Sequence, residues 1–322
     1  MDWHVILAVT LVSLIALPHV LRIERVAPTT GAAVWFFALC LRALGAVVFA
    51  AYMLIYLPQT PRFAGFVDWC VHVALPLISL NLHVPGIRIA DGAAVIPTVV
   101  LGLSLAYAGF RMLRARFYAR RLIRRMTIGD GPLGSTVLAS EEVLIAVTQL
   151  GPPRLLISGK TLETLDEEEL AAGLQHELGH LRRAHRPILL VASVLRALAR
   201  WQPGSKAAYR ELCFSLERDA DEYALRQTRD PLALASAICK AALAQRRTVP
   251  VLGLRGETRV SLRLEYLLAG GRQRAGAHFE RAAQMLAALM LALLLFMAVA
   301  APVWALARPG SLPHLPVSGW NC

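Results

Sequence analysis

His176-Glu177-Leu178-Gly179-His180 is the stretch from which the rest of the chain can be read. It has the form H-E-x-x-H and follows Leu170 and Leu174, which with Leu178 repeat every four residues, the spacing of a helix face. Two histidines at i and i+4 lie about 40° apart around a helix, so both imidazoles can reach one ion. Glu177, beside the first histidine, then stands where a base for a metal-bound water is needed. Alone, the pattern is moderately specific, because it fixes only part of a short segment.

A second element strengthens it. Glu217-Arg218-Asp219-Ala220-Asp221 is an E-x-x-x-D on a later helix. Glu217 supplies a third protein ligand. Asp221, one turn further on the same face, is placed to accept the second ring N–H of a ligand histidine and fix its tautomer. The ion this set suits is Zn2+, which takes three His or carboxylate ligands and keeps one position open for water. The expected ligands are therefore His176, His180 and Glu217, with Glu177 as the catalytic base. The longer H-E-x-x-H-x-x-G-x-x-H form is excluded, because Arg183 and Arg186 occupy its glycine and third histidine positions. His185 falls roughly 140° around the helix from His180 and reads as a surface histidine. Asp219, Glu222 and Glu211 read as surface salt-bridging residues. Tyr209, Tyr223 and His185 are the candidates for a donor to a developing oxyanion.

Around this motif the sequence predicts short strands at 136–139, 143–148 and 154–158, the last after Gly151-Pro152-Pro153. Thr164 with Glu167 fits a capping box for the H-E-x-x-H helix, and the acids Asp166 to Glu169 suit its positive end. Pro187 marks its end or a kink. Residues 188–198 are strongly apolar but too short to span a bilayer, so they belong inside the domain or at the membrane surface. Trp201-Gln202-Pro203-Gly204 breaks the chain before a helix over about 206–226, and Pro231 opens another to about 246.

The wider composition places this motif beside a membrane. The 322 residues are 56% hydrophobic, with a mean hydropathy of +0.51. That points to several spans around one soluble domain. Apolar runs at about 5–21, 32–57, 93–110 and 282–306 are the expected spans. Residues 63–84 are apolar and aromatic but hold Asp68, His72, Pro76, Asn81 and His83, and read as an interfacial helix. Arg42 lies inside the second run, where it is expected to snorkel to the interface.

After the third run come Arg111, Arg114, Arg116, Arg120, Arg121, Arg124 and Arg125 with no acid among them. By the positive-inside rule this end, and the domain after it, lie in the cytoplasm. The expected layout is a membrane region at 1–126, a cytoplasmic domain at 127–281, a closing span at 282–306 and an extracytoplasmic tail at 307–322. The net charge of +12 is carried almost wholly by arginine, since lysine occurs only at Lys160, Lys206 and Lys240. With no helix-turn-helix and no basic–aromatic interleaving, that charge belongs to topology, and nucleic-acid binding is not expected. Cys40, Cys70, Cys213, Cys239 and Cys322 form no C-x-x-C. They read as apolar fillers or free thiols, although Cys70 and Cys322 share the outer side in this layout.

These residues resemble the BlaR/MecR-type integral membrane metallopeptidases. The resemblance lies in three spans, an arginine-rich cytoplasmic segment, the H-E-L-x-H helix, the W-x-P break, the Glu-x-x-x-Asp helix and one closing span. The 151–158 stretch is similar too. In layout the resemblance covers about residues 1–306, but its specific motifs cover only about 150–225. It implies an α-helical membrane protein with an α+β gluzincin-like domain between the third and fourth spans, with Zn2+ on His176, His180 and Glu217 and Glu177 catalytic. It also implies an edge strand at Arg154, Leu155, Leu156, Ile157 and Ser158 that pairs with extended peptide. The family's antibiotic receptors carry a large extracellular penicillin-binding sensor, and the short tail here gives β-lactam sensing no support. What remains is a signalling-type peptidase core of the bacterial cell membrane, cutting a cytoplasmic repressor of the BlaI type or another regulatory protein.

Two other readings use the same residues. The HtpX or CAAX-processing type of membrane metallopeptidase shares the zinc pattern, and residues 215–221 resemble its E-x-x-A-D helix, but its layout has two spans on each side of the site. A non-catalytic receptor or scaffold with structural zinc would have no use for Glu177.

Overall fold

A computed structural model describes residues 3–21, 23–55, 89–140, 143–147, 154–245, 260–269 and 276–306. The helix expected at 63–84, the tail at 307–322 and any pairing of Cys70 with Cys322 lie outside these residues. The described chain is mostly helical, with one small four-stranded sheet.

Three described helices hold stretches long and apolar enough to cross a membrane. These are Pro28–Leu54 within α2 (Pro28–Ile55), Ile96–Met126 within α3 (Ile89–Met126) and Ala277–Ala298 within the final helix, Ala277–Leu306. The first expected span is α1 (Trp3–Val20), whose apolar stretch Val9–Val20 is shorter. Helix α3 has 38 residues. At 1.5 Å per residue it is about 57 Å long, roughly twice a hydrocarbon core. The arginine run is therefore not a loop after a span but the continuation of the same helix.

Arg42 does not snorkel. It is 1% exposed, in the middle of α2. Its guanidinium donates to the carbonyls of Ala38 and Ile15, each at 3.1 Å, and lies 2.7 Å from His19 Nε2. The Ile15 carbonyl sits near the C-terminal, negative end of α1, which offsets a buried cation. The expectation failed because α2 begins at Pro28, four residues earlier than the apolar run suggested, and continues past the arginine.

The sheet follows α3. Strands β1 (Thr127–Asp130), β2 (Thr136–Leu138), β3 (Ile145–Val147) and β4 (Leu155–Ser158) lie in the order β1-β2-β4-β3. β4 pairs in parallel with β2 and antiparallel with β3. The expected edge strand is thus an interior one, and Arg154 precedes it. The physical reason is legible afterwards: Leu155-Leu156-Ile157 is a continuous apolar run buried at every residue, the mark of a strand covered on both faces. Among the described residues the outer strands are β1 and β3.

Ser158 ends β4 and caps the short helix α4 (Gly159–Thr164), accepting from the Thr161 amide. Helix α5 (Glu167–Arg182) carries the H-E-x-x-H. Its capping box is Asp166 with Glu169, not Thr164 with Glu167, because Thr164 closes α4. Helix α5 stops at Arg182. Ala184, at φ 53°, turns the chain into α6 (His185–Leu198), so Pro187 sits in the first turn of a new helix. The Trp201–Gly204 break leads to α7 (Ser205–Thr228), then α8 (Pro231–Gln245), α9 (Val260–Leu268) and α10 (Ala277–Leu306).

The largest core joins the membrane helices to the motif-bearing ones. Leu14 of α1, Trp35, Ala38 and Leu39 of α2, Ala192 of α6, Leu212 and Leu216 of α7 and Met290 of α10 share one buried cluster. Gly31 lets α2 lie close against α7, since a Cβ there would stand 3.0 Å from Ser215 Oγ. Gln202, in the α6–α7 turn, donates to the Arg42 carbonyl at 2.9 Å. Glu280 accepts from the Ala27 amide and the Thr30 hydroxyl, setting the N-termini of α2 and α10 side by side.

Candidate metal centre

The centre forms where α5 crosses α7. The crossing is close because Gly179 has no side chain: a Cβ there would lie 3.2 Å from Ala220 Cα and from Tyr223 Cβ. Helical spacing puts His176 and His180 on the α5 face at this crossing, and Glu217 and Asp221 on the facing side of α7.

The Nε2 atoms of His176 and His180 are 3.3 Å apart. Glu217 Oε2 is 3.4 Å from His176 Nε2, and Oε1 is 3.7 Å from His180 Nε2. One ligand atom from each of the three residues lies within 4.8 Å of the others, a group that can hold a metal ion. Two ligands each about 2.0–2.1 Å from a tetrahedral ion stand roughly 3.4 Å apart, so these separations fit a small tetrahedral cation. The donor set of two imidazole nitrogens and a carboxylate fits as well.

Asp221 is fully buried, and its Oδ1 lies 2.8 Å from His176 Nδ1. This is an ion-pair contact between the ring and the carboxylate. Arg263 of α9 faces the same carboxylates. It donates through Nε and Nη2 to the two oxygens of Asp221, at 2.8 and 2.7 Å, and through Nη1 to Glu217 Oε2 at 2.9 Å.

These neighbours set the charges. Burial pushes Glu217 and Asp221 up, but Arg263 and His176 outweigh it and hold both carboxyls below their usual range. Burial likewise disfavours a charged His176, yet Asp221 and Glu217 raise it to about 9. His180 is lowered to about 3, by burial first and by His176, His185 and Arg263 against the pull of Glu217. At neutral pH the pocket therefore holds ionised Glu217 and Asp221, a neutral His180 and a His176 that keeps its proton, which a bound cation would displace.

The sequence reading missed three residues. His185 is 2% exposed, and its two ring nitrogens lie 3.0 Å from His180 Nδ1 and 2.9 Å from Asp219 Oδ2. Asp219 is also buried and accepts from Arg183 at 2.9 Å. The surface assignments of His185 and Asp219 are overturned, because Ala184 breaks the helix and swings His185 back over α7. Extrapolating the α5 helix through that break gave the wrong face. Arg263 lies in a segment with no motif, and only the fold brings it to Glu217. Of the oxyanion candidates, His185 is committed to His180 and Asp219. Tyr209 is buried in the bundle core, and Tyr223 packs under Gly179. Glu177 is half-buried and contributes to the negative field around Arg263.

Compared with known proteins, the chain matches no family model and no curated protein.

Proposed function

We propose that this protein is a membrane-embedded zinc endopeptidase that cleaves a membrane-proximal protein segment on the cytoplasmic side. The observation that carries the proposal is the group of His176, His180 and Glu217, spaced like edges of a tetrahedron, with Glu177 next to the first ligand. His176, His180 and Glu217 would hold Zn2+, which when bound would supply Lewis acidity toward a water and a carbonyl oxygen. Glu177 would hold a proton beside the ligands and deliver it to the leaving amine. Asp221 and His185 hold the two imidazoles with both Nε2 atoms turned to the centre.

An extended substrate needs a strand to pair with, and β3 replaces β4 in that role. It is an outer strand, and it lies against α5 where a Cβ on Gly173 would meet Ile145 Cδ1 at 2.7 Å. Gly173 is one turn before His176, so a peptide added to β3 would run past the ligands. The arginine-rich end of α3 supports a cytoplasmic site in a bacterial cell membrane. The packing of the Glu217 helix on α2 favours control from the membrane over free hydrolysis, and regulatory proteolysis of a BlaI-type repressor is the substrate class we advance.

The test is terminal-peptide proteomics of cells carrying wild type or Glu177→Gln. A small set of cytoplasmic termini seen only with wild type supports the proposal and identifies the substrate. Scattered cuts in misfolded membrane proteins would replace it with a quality-control role. A reporter fused after Arg125 that gives a periplasmic signal would overturn the orientation.

A further inference from the structure

Glu217 and Asp221 stand at i and i+4 on α7, where like charges oppose each other, Asp221 fully buried and Glu217 partly so. Arg263, 5% exposed, resolves this with a three-point grip: a fork on Asp221 and a single bond to Glu217. A guanidinium has the planar fork this needs, and an ammonium does not. The grip reaches one metal-ligand candidate directly and a second through Asp221, which lies against His176.

We infer that Arg263 is a positioning residue of the metal centre, holding Glu217 and, through Asp221, His176 in the arrangement that receives the ion. The inference rests on His176, His180 and Glu217 being the ligand set. Two effects of Arg263 on a cation oppose each other and can be separated. Its charge repels the ion, so a residue acting through charge alone would, when removed, let the ion bind more tightly. Its geometry prearranges the ligands, so a positioning residue, when lost, weakens binding.

The experiment titrates Co2+ and Zn2+ into the purified full-length protein in detergent, for wild type, Arg263→Lys, Arg263→Ala and Glu217→Ala. Circular dichroism and elution volume establish that each variant is folded. Arg263→Lys keeps the charge and loses the fork. It is expected to bind both ions roughly 10–100-fold more weakly, the usual cost of removing a partner that orients ligands. The visible absorption of bound Co2+, which reports ligand arrangement, should change with it. Wild-type affinity and spectrum in Arg263→Lys, with tighter binding in Arg263→Ala, overturn the inference. Should Arg263→Ala fail to fold, the lysine variant still decides. Unchanged affinity in Glu217→Ala would instead remove the ligand assignment beneath it, so the two failures are distinguishable.

Discussion

His185 Nδ1 stands 3.0 Å from His180 Nδ1. Two such nitrogens can approach only if one carries a proton and the other does not. With His185 as the neutral tautomer that donates from Nε2 to Asp219 Oδ2 at 2.9 Å, its Nδ1 accepts and the proton of the contact belongs to His180. His180 Nε2 is thereby left as a lone pair aimed at the centre. His185→Leu should lower Zn2+ affinity roughly 10–100-fold in a chelator competition, and Asp219→Asn should fall in the same direction. Unchanged affinity in both would show that His180 is oriented by packing alone.

Under the proposed function, variants of Glu177 and His180 should separate chemistry from binding. Glu177→Gln should retain the metal and lose about 10²–10⁴-fold in kcat/KM on the identified substrate. His180→Ala should lose both metal and activity. Equal metal loss in the two variants, measured by bound zinc per protein, contradicts the role given to Glu177.

Gly179 offers a test in which two effects compete. Alanine is a better helix former than glycine by about 1 kcal/mol, so propensity alone predicts that Gly179→Ala stabilises α5. The new Cβ would sit 3.2 Å from Ala220 Cα, a backbone atom that cannot rotate away. Overpacking of this kind costs about 1–3 kcal/mol and should decide the sign. A lowered Tm with weakened metal binding is expected; a raised Tm would mean the two helices part easily.

Glu169 ties α5 to α8 and makes stability pH-dependent. Its carboxylate pairs with Lys240 at 2.6 Å, accepts from Ser236 and caps the Asp166 amide. Burial raises its pKa, but these bonds outweigh burial and hold it below the usual glutamate range. A lowered folded-state pKa means stability present above the unfolded value and lost as pH falls through the folded one. Glu169→Gln should cost about 1–3 kcal/mol at pH 7. That deficit should shrink as pH falls below the usual glutamate range and vanish below the lowered folded-state pKa, where the wild-type carboxyl is protonated too. A deficit independent of pH would assign the effect to shape.

How much of this was legible depends on whether the information was local. The ligand spacing at 176–180 and 217–221 is helical periodicity, and it was readable without a fold. The apolar runs were readable as well, although their ends were not: α2 begins at Pro28 and α3 runs on to Met126, because arginines are good helix formers and polarity does not end a helix. The edge assignment of 154–158 failed because a strand's neighbours are set by topology. His185 failed at a single backbone turn, Ala184, where one left-handed residue reverses what spacing implies. Arg263 was out of reach altogether, since it reaches Asp221 and Glu217 from an element far along the chain.

The shared core of α1, α2, α6, α7 and α10 has a consequence for how the protein is made. A ribosome releases the H-E-x-x-H first, Glu217 next, Arg263 after both, and the helix bearing Met290 last. Until that last helix has entered the membrane and docked on α2, the inner face of α7 lacks part of its cover, and the centre has no finished support. A fully supported centre is thus a property of the whole folded chain, withheld from shorter nascent fragments by order of synthesis alone.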